Sequence, residues 1–557
     1  MARITCQTFV FVLLLTLIPT APMAAEVLYN GIELPPSWPP QVKELSDTPM
    51  DVPYLENPPA VIHIDVGRQL FVDDFLIERT SLKRSYHRPE YYAGNPILKP
   101  DRPWECEDTA RAAAPFSDGV FYDPQDSLFK MWYIGGYIAS TCLATSHDGI
   151  RWEKPSLDVR PGTNEVFSHR DVDPASGGRF RDSSTVWLDH YDPAPSRRFK
   201  MFVTTPIPSR WSLALRCSPD GIHWSEPVAI SRGTIGDRTT VHYNPFRRKW
   251  VFGLRIGQPK VGRSRAYYEN ADAIAGTQHL PQDAVPWLCA DSLDPHHPDP
   301  QYAHIAPQLY NHDAAAYESL MLGLFSIWQG PPNNECARLK IQKRNELLVG
   351  FSRDGFHWHR PDRTRFLGVN PTEGAWNWGN VQSAGGCCLV VRDKLYFYVS
   401  GRMLGDRFWD GNCHTGLATM RRDGFASLDA EEEPGTLITR PVEFTGKYLF
   451  VNVEAPDGEL RVEVLDRDDK PVEGFTLGDC RAVTTDSTIQ QVLWEGGNDL
   501  SSVAGKPVRF RFHLRKGSLY SFWVTSDKSG ASHGYVAAGG PGFTGPADTV
   551  GKAAYAD

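Results

Sequence analysis

The sequence predicts an all-β fold: a five-bladed β-propeller followed by a C-terminal β-sandwich. Three observations predict it. A short turn element recurs along the chain, a pair of strand-like runs stands ahead of each copy, and the pattern changes beyond residue 432. The 557 residues suffice for one large repeat domain with an appendage.

The turn element reads Ser146-His147-Asp148-Gly149-Ile150-Arg151-Trp152, then Ser218-Pro219-Asp220-Gly221-Ile222-His223-Trp224, then Ser352-Arg353-Asp354-Gly355-Phe356-His357-Trp358. Weaker copies surround Asp272 and Asp423. Asp caps a turn through its side chain and Gly accepts a positive φ, so the element reads as structural, with its Trp packed on the preceding strand. Successive Asp positions are 72, 52, 82 and 69 residues apart, a spacing suited to propeller blades carrying loop insertions. Hairpin-like pairs precede each copy: 119–122 with 128–134, 184–188 with 198–203, 239–243 with 249–254, 314–317 with 320–327, and 387–391 with 394–399. Blades and a lead-in are thus expected over residues 26–432. Alternating runs at 448–453, 460–465, 488–494, 508–514 and 519–524 predict a sandwich over 433–526, entered through the acidic stretch Glu431-Glu432-Glu433. Residues 527–557, rich in Gly and Ala, are expected to form a flexible tail.

Residues 1–25 read as an export signal. Arg3 precedes an uncharged apolar stretch from Phe9 to Ile18, and small residues follow at Ala21, Ala24 and Ala25. The mature chain is therefore expected to be secreted or periplasmic, with no membrane span once the signal is removed. The net charge of -9 and the lack of a long basic run argue against a nucleic-acid partner. Nine cysteines lie beyond the signal, an odd number without a CxxC, so neither a disulfide framework nor a zinc site is indicated. The 16 Trp, 21 Tyr and 27 Phe suit both a β-sheet core and a sugar-stacking cleft. Nothing in the sequence bears on the oligomeric state.

The blade element resembles the repeat of propeller glycoside hydrolases of families 32, 43, 62 and 68, and of family 32 above all. Asn95-Pro96-Ile97-Leu98 with Trp104-Glu105 is similar to the start of their first blade, and Phe180-Arg181-Asp182 is similar to the R-D of the family 32 R-D-P motif. The W-x-N-D-P-N nucleophile motif is absent, Ser183 stands where that motif has Pro, and no E-C-P acid motif follows. The resemblance implies a divergent enzyme that cleaves glycosidic bonds in a poly- or oligosaccharide. It also allows a calcium ion in the channel, which no pattern here specifies; no other cofactor is expected.

Such an enzyme needs two carboxylates flanking the scissile bond. Charged residues at the start of each innermost strand are the candidates, because those strands line the channel. They make Asp182, Asp237 and Glu105 the expected catalytic set. Asp108, Arg181, Arg238, Glu318, Trp104, Gln382 and Arg402 are the expected substrate contacts. The competing reading makes Arg181-Asp182 and Asp237-Arg238 salt bridges between blades. A catalytically inactive carbohydrate-binding propeller is the alternative function.

Overall fold

The computed structural model describes residues 25–106, 110–168, 181–207, 210–403, 412–497 and 499–555. The expected signal segment lies outside them, except for Ala25. Its regular secondary structure is mostly β-strand, as expected. Among the described residues no helix is long and apolar enough to cross a membrane.

Five antiparallel runs follow one another. Run one comprises Ala113–Ala114, Val120–Asp123, Leu128–Gly135, Ser140–Ser146 and Glu165–Phe167; run two comprises Ser184–Leu188, Phe199–Ile207, Arg210–Ser218 and Ala229–Ile230. Run three comprises Thr240–Asn244, Lys249–Gln258, Gly262–Asn270 and Val285–Leu288. Run four (Gln308–Glu318, Leu320–Gly330, Arg344–Ser352) joins run five through a single parallel pairing of Asn345 with Asn380. Run five comprises Asn380–Ser383, Leu389–Val391, Lys394–Arg402 and Cys413–Arg421, and the early strand Glu90–Tyr91 completes it.

The inner strands touch in a closed circuit. Val186 N donates to Asp118 O, Val241 N to Thr185 Oγ1, Thr240 Oγ1 to His312 O, Ser383 Oγ to Asp313, and Ser117 N to Ser383 O. In run five the innermost strand is Asn380–Ser383, ahead of the expected 387–391. The chain kinks after it and resumes at Leu389, as run one does between Ala114 and Val120, where Phe116, Ser117 and Gly119 take positive φ. The two kinks interlock, Val120 N donating to Gly385 O.

The turn element performs the same local chemistry in its three full copies. Asp148 Oδ1 accepts the Ile150 and Arg151 amides at 2.8 and 2.7 Å, and Gly149 sits at φ 73°. Asp220 and Asp354 repeat the pattern. The weak copies have taken other work. Asp272 caps the helix Ala273–Thr277 by accepting the Ala275 amide, and Asp423 is buried in an ionic cluster.

Two further sheets share a second apolar core containing Leu449, Val451, Phe510, Phe512 and Phe522. One holds Ala426–Ala430, Tyr448–Glu454, Asp486–Gln491 and Gly517–Thr525; the other holds Gly435–Thr439, Glu459–Leu465 and Arg509–Arg515. Their extent differs from the expected 433–526. They begin at Ala426, and the lead-in strands Gln69–Leu70, Ile77–Thr80 and Lys83–Tyr86 pair into them. Pairing partners so distant in sequence leave no local signal.

The tail differs as well. The strand Tyr535–Val536 pairs with Gln308–Glu318, and Val536, Ala538, Phe543 and Ala554 are buried in the main core. Its small residues permit close backbone packing: a Cβ on Gly540 would stand 1.7 Å from Val390 O. Asp548 pairs with Arg422 at 3.1 Å inside a fully buried ionic cluster that also holds Arg68, Glu318 and Asp423. The cluster joins the lead-in, runs four and five, and the tail.

Two outcomes follow for stability. Trp358 is 3% exposed whereas Trp152 and Trp224 are only partly buried. Trp358→Ala is therefore expected to destabilise the fold by about 3–5 kcal/mol, more than either other substitution, in a denaturant titration. Truncation after residue 526 strips Asp548 from Arg422. Removing one partner of a buried pair costs about 3–5 kcal/mol, so the truncated protein should melt well below the full chain. An unchanged melting temperature would mean that the docked tail adds nothing.

Candidate active site

One end of this circuit of strands, its mouth, lies where innermost strands begin, second strands end and third strands begin. Innermost strands bring Tyr310, Asn380 and Gln382; Asp182 and Asp237 precede theirs by two and three residues. Second and third strands bring Arg255, Arg402 and Arg263, while Tyr137 sits in the turn between two such strands and Lys343 just before a third. This rule explains the omissions from the expected set: Tyr137, Arg255, Arg263 and Lys343 stand at the other strand ends on the same side, and Tyr310 is an uncharged phenol at the start of an innermost strand. Attention to all three strand ends, and to phenols as well as charges, would have found them.

Asp182 and Asp237 share one rim. Asp182 Oδ1 accepts the amide of Arg238, the next residue after Asp237, at 3.2 Å. Arg238 holds φ 59°, an unfavourable conformation for a non-glycine residue. The Asp182 bond supports it, as does the Arg238 guanidinium, which donates to Phe116 O at 2.8 Å and lies 3.7 Å over the Phe116 ring. Asp237, 41% exposed, lies between Arg255 (3.3 Å) and Arg263 (3.1 Å). Burial works to raise its carboxyl, but Arg263 and Arg255 outweigh that and hold it below its ordinary range. Asp182 has no ion-pair partner among the described residues.

Tyr310 is the most strongly perturbed group here. Lys343 Nζ donates to its hydroxyl at 3.0 Å, and the Arg263 guanidinium stacks 4.1 Å over its ring. Burial favours the neutral phenol, yet Lys343, Arg263, Arg402 and Arg238 together lower it to about 7. Beside it, burial raises Tyr137 to about 12 against the pull of Arg402, which packs 4.9 Å from the Tyr137 ring. Gln382 is buried, donating to Asn380 Oδ1 at 2.7 Å; its own Oε1 has no hydrogen-bond partner among the described residues.

The other expected site residues stand elsewhere. Glu105 is wholly buried on the helix Pro103–Cys106, where it accepts from Tyr133 at 2.6 Å and pairs with Lys154 at 2.8 Å. Tyr133 lies near the end of run one's second strand and Lys154 beyond its third, so Glu105 is held in a buried network there rather than exposed at the rim. Trp104 is fixed beside it, donating to Asn164 at 2.9 Å. Glu318 ends its strand at φ 49° and belongs to the ionic cluster around Arg68 and Arg422. Arg181 is fully buried and forms a two-pronged bond to Asp118, whose carboxyl burial raises to about 6. For Arg181 the competing reading, a salt bridge between successive blades, describes the contact. Asp108 lies outside the described residues.

The channel wall below the mouth is closed by polar contacts. Asp313 accepts from Ser117, Asn311 and Ser383 at 3.0, 2.8 and 2.5 Å. Among the described residues no group of three or more His, Cys, Asp or Glu side chains gathers to hold a metal ion.

No family model and no curated protein matches the chain. Solved structures similar to it include a fructofuranosidase from Schwanniomyces occidentalis complexed with fructosylnystose, 10% identical, covering 77% of this chain and 96% of that one, TM-score 0.36. They also include a GH43_12 protein from a capybara gut metagenome, 10% identical, covering 79% and 98%, TM-score 0.38. A Bacteroides ovatus glycosyl hydrolase is 13% identical over 60% of this chain and 94% of its own, TM-score 0.35. At these scores the likeness carries no weight for the chemistry, which rests on the geometry alone.

The cation cage around Tyr310 has a measurable consequence. Its charged form is favoured in the fold, so its contribution to stability is full above the ordinary phenol value of 10 and is lost as pH falls through about 7. A near-ultraviolet titration should show phenolate absorbance developing near neutral pH, and Tyr310→Phe should remove that component. If the component lost in Tyr310→Phe titrates near 10 instead, the cage does not act on this phenol.

Proposed function

We propose that the five antiparallel runs are the blades of a propeller, that the two C-terminal sheets form a sandwich braced on it, and that the chain is an exported glycoside hydrolase working at the channel mouth. One observation carries the reading: two accessible carboxylates share a rim but have opposite partners. Asp237 sits between two guanidiniums; among the described residues the Asp182 carboxylate accepts the Arg238 amide and has no ion-pair partner. Glycoside hydrolysis needs this division, one carboxylate ionised and one able to carry a proton. Asp237 supplies the negative charge that steadies a sugar ring turning cationic, or draws the proton from an attacking water. Asp182 protonates the leaving oxygen. Tyr137 borders the same mouth and offers its hydroxyl to a sugar, with Gln382 and Arg402 buried beside it.

The alternative reading, a carbohydrate-binding propeller without catalysis, draws support from the loss of Glu105 to run one's buried network. A panel of poly- and oligosaccharides decides between them, with turnover as the readout. Once a substrate is found, Asp182→Asn and Asp237→Asn should each lower turnover about a hundredfold or more, on the order of 2.7 kcal/mol, with the melting temperature held. The amide keeps an acceptor for the Arg238 N–H, so folding should survive. Near-normal turnover with a lowered melting temperature in Asp182→Asn would make Asp182 a brace for Arg238 and nothing more.

A further inference from the structure

Beside the two carboxylates opens a cleft of about 470 Å³ between runs three and four. Arg255, Arg263 and Lys343 line it, together with Tyr310 and the partly exposed Trp328, and among the described residues no carboxylate does. Asp237 meets Arg255 and Arg263 from the rim; among the described residues Lys343 is met by the Tyr310 phenol and by no carboxylate. The Lys343 ammonium has three donors, one of them committed to Tyr310. Arg263 Nε is buried without a hydrogen-bond partner among the described residues. Three cations thus face one carboxylate and one phenol, and the excess positive charge would give charge-assisted bonds to an oxyanion that a neutral sugar cannot accept as strongly. The indole of Trp328 offers a flat apolar face for the ring that carries such a group.

We propose that the site takes an acidic saccharide, its uronate carboxylate or sulfate ester held between Arg263 and Lys343 and its ring laid against Trp328. This rests on the carbohydrate-active reading above and adds the substrate class. The shared chemistry is a sugar-borne oxyanion, and two probes separate its sources.

Calorimetric titration of the full chain with trigalacturonate, with a sulfated galactan trisaccharide and with neutral galactotriose tests it. At least one charged probe should bind about tenfold or more tighter than the neutral one, weakening as salt is added. Which of the two binds tighter identifies the anionic group. Lys343→Gln should lose about tenfold for the charged probe, the effect of one charge-assisted bond, and leave the neutral one unchanged. Lys343→Arg should restore most of it, which separates loss of charge from loss of fold. Equal binding of charged and neutral probes overturns the proposal, as does inorganic sulfate binding as tightly as the sulfated sugar. Charged sugar bound but never cleaved keeps this inference and sinks the hydrolase; neutral glycan cleaved without preference for charge does the reverse.

Discussion

The structure depends on a repeated lock between neighbouring runs. In each case a donor from the preceding run reaches a carbonyl in the next run's turn element. Tyr398 of run five donates to Gly149 O at 2.7 Å, Trp132 of run one to Gly221 O at 2.8 Å, and Trp287 of run three to Phe356 O at 2.8 Å. The turn presents that carbonyl because Asp satisfies its amides from within and Gly tolerates its backbone. A lone sheet of this kind buries one apolar face poorly. Five of them, three steps keyed by this lock and all joined by the hydrogen-bonded circuit of their innermost strands, bury a continuous core. Residues as distant as Val72 and Ala554 join it.

Closure of the circuit makes the mouth rigid, and rigidity lets it hold strain and like charges together. The left-handed backbone of Arg238 persists because Asp182 and Phe116 engage it from two neighbouring runs. Arg265, fully buried, donates to the carbonyls of Arg238 and Tyr310 and so ties the rim of run three to run four. Like charges crowded this way would separate in a pliable site. Here their backbones are fixed by strands paired far from the mouth, and the cost is offset by Asp237 and by the Tyr310 phenol.

Much of this fold is legible in the sequence because its defining chemistry is local. Ser146, Asp148 and Gly149 make their turn with one another, so three residues reveal a blade. The site is less legible because burial and partnership are settled at long range. Glu105 and Asp182 look alike in sequence. Tyr133 and Lys154 remove the first from solvent, while only an amide of the adjoining run engages the second. The tail misleads for a related reason: Gly and Ala suit a loose chain and a closely packed one equally, and only Val390, about 150 residues away, reveals which Gly540 belongs to.

The arginines around Asp237 also set limits on the chemistry. A proton donor must hold its proton until the leaving oxygen needs it, and two guanidiniums beside Asp237 work against that. The same pair suits a carboxylate that stays charged while positive charge grows on a sugar ring. The donor is then sought among groups that face the rim without a cation of their own. Asp118 lies beneath its bridge to Arg181, and Asp313 is enclosed by Ser117, Asn311 and Ser383. Burial raises both carboxyls, but each is sealed in the wall. Asp182 alone of these three combines partial exposure with an uncommitted oxygen among its described contacts, and it touches the residue next to Asp237. The proposed division of labour between the two rim carboxylates rests on where the arginines stand.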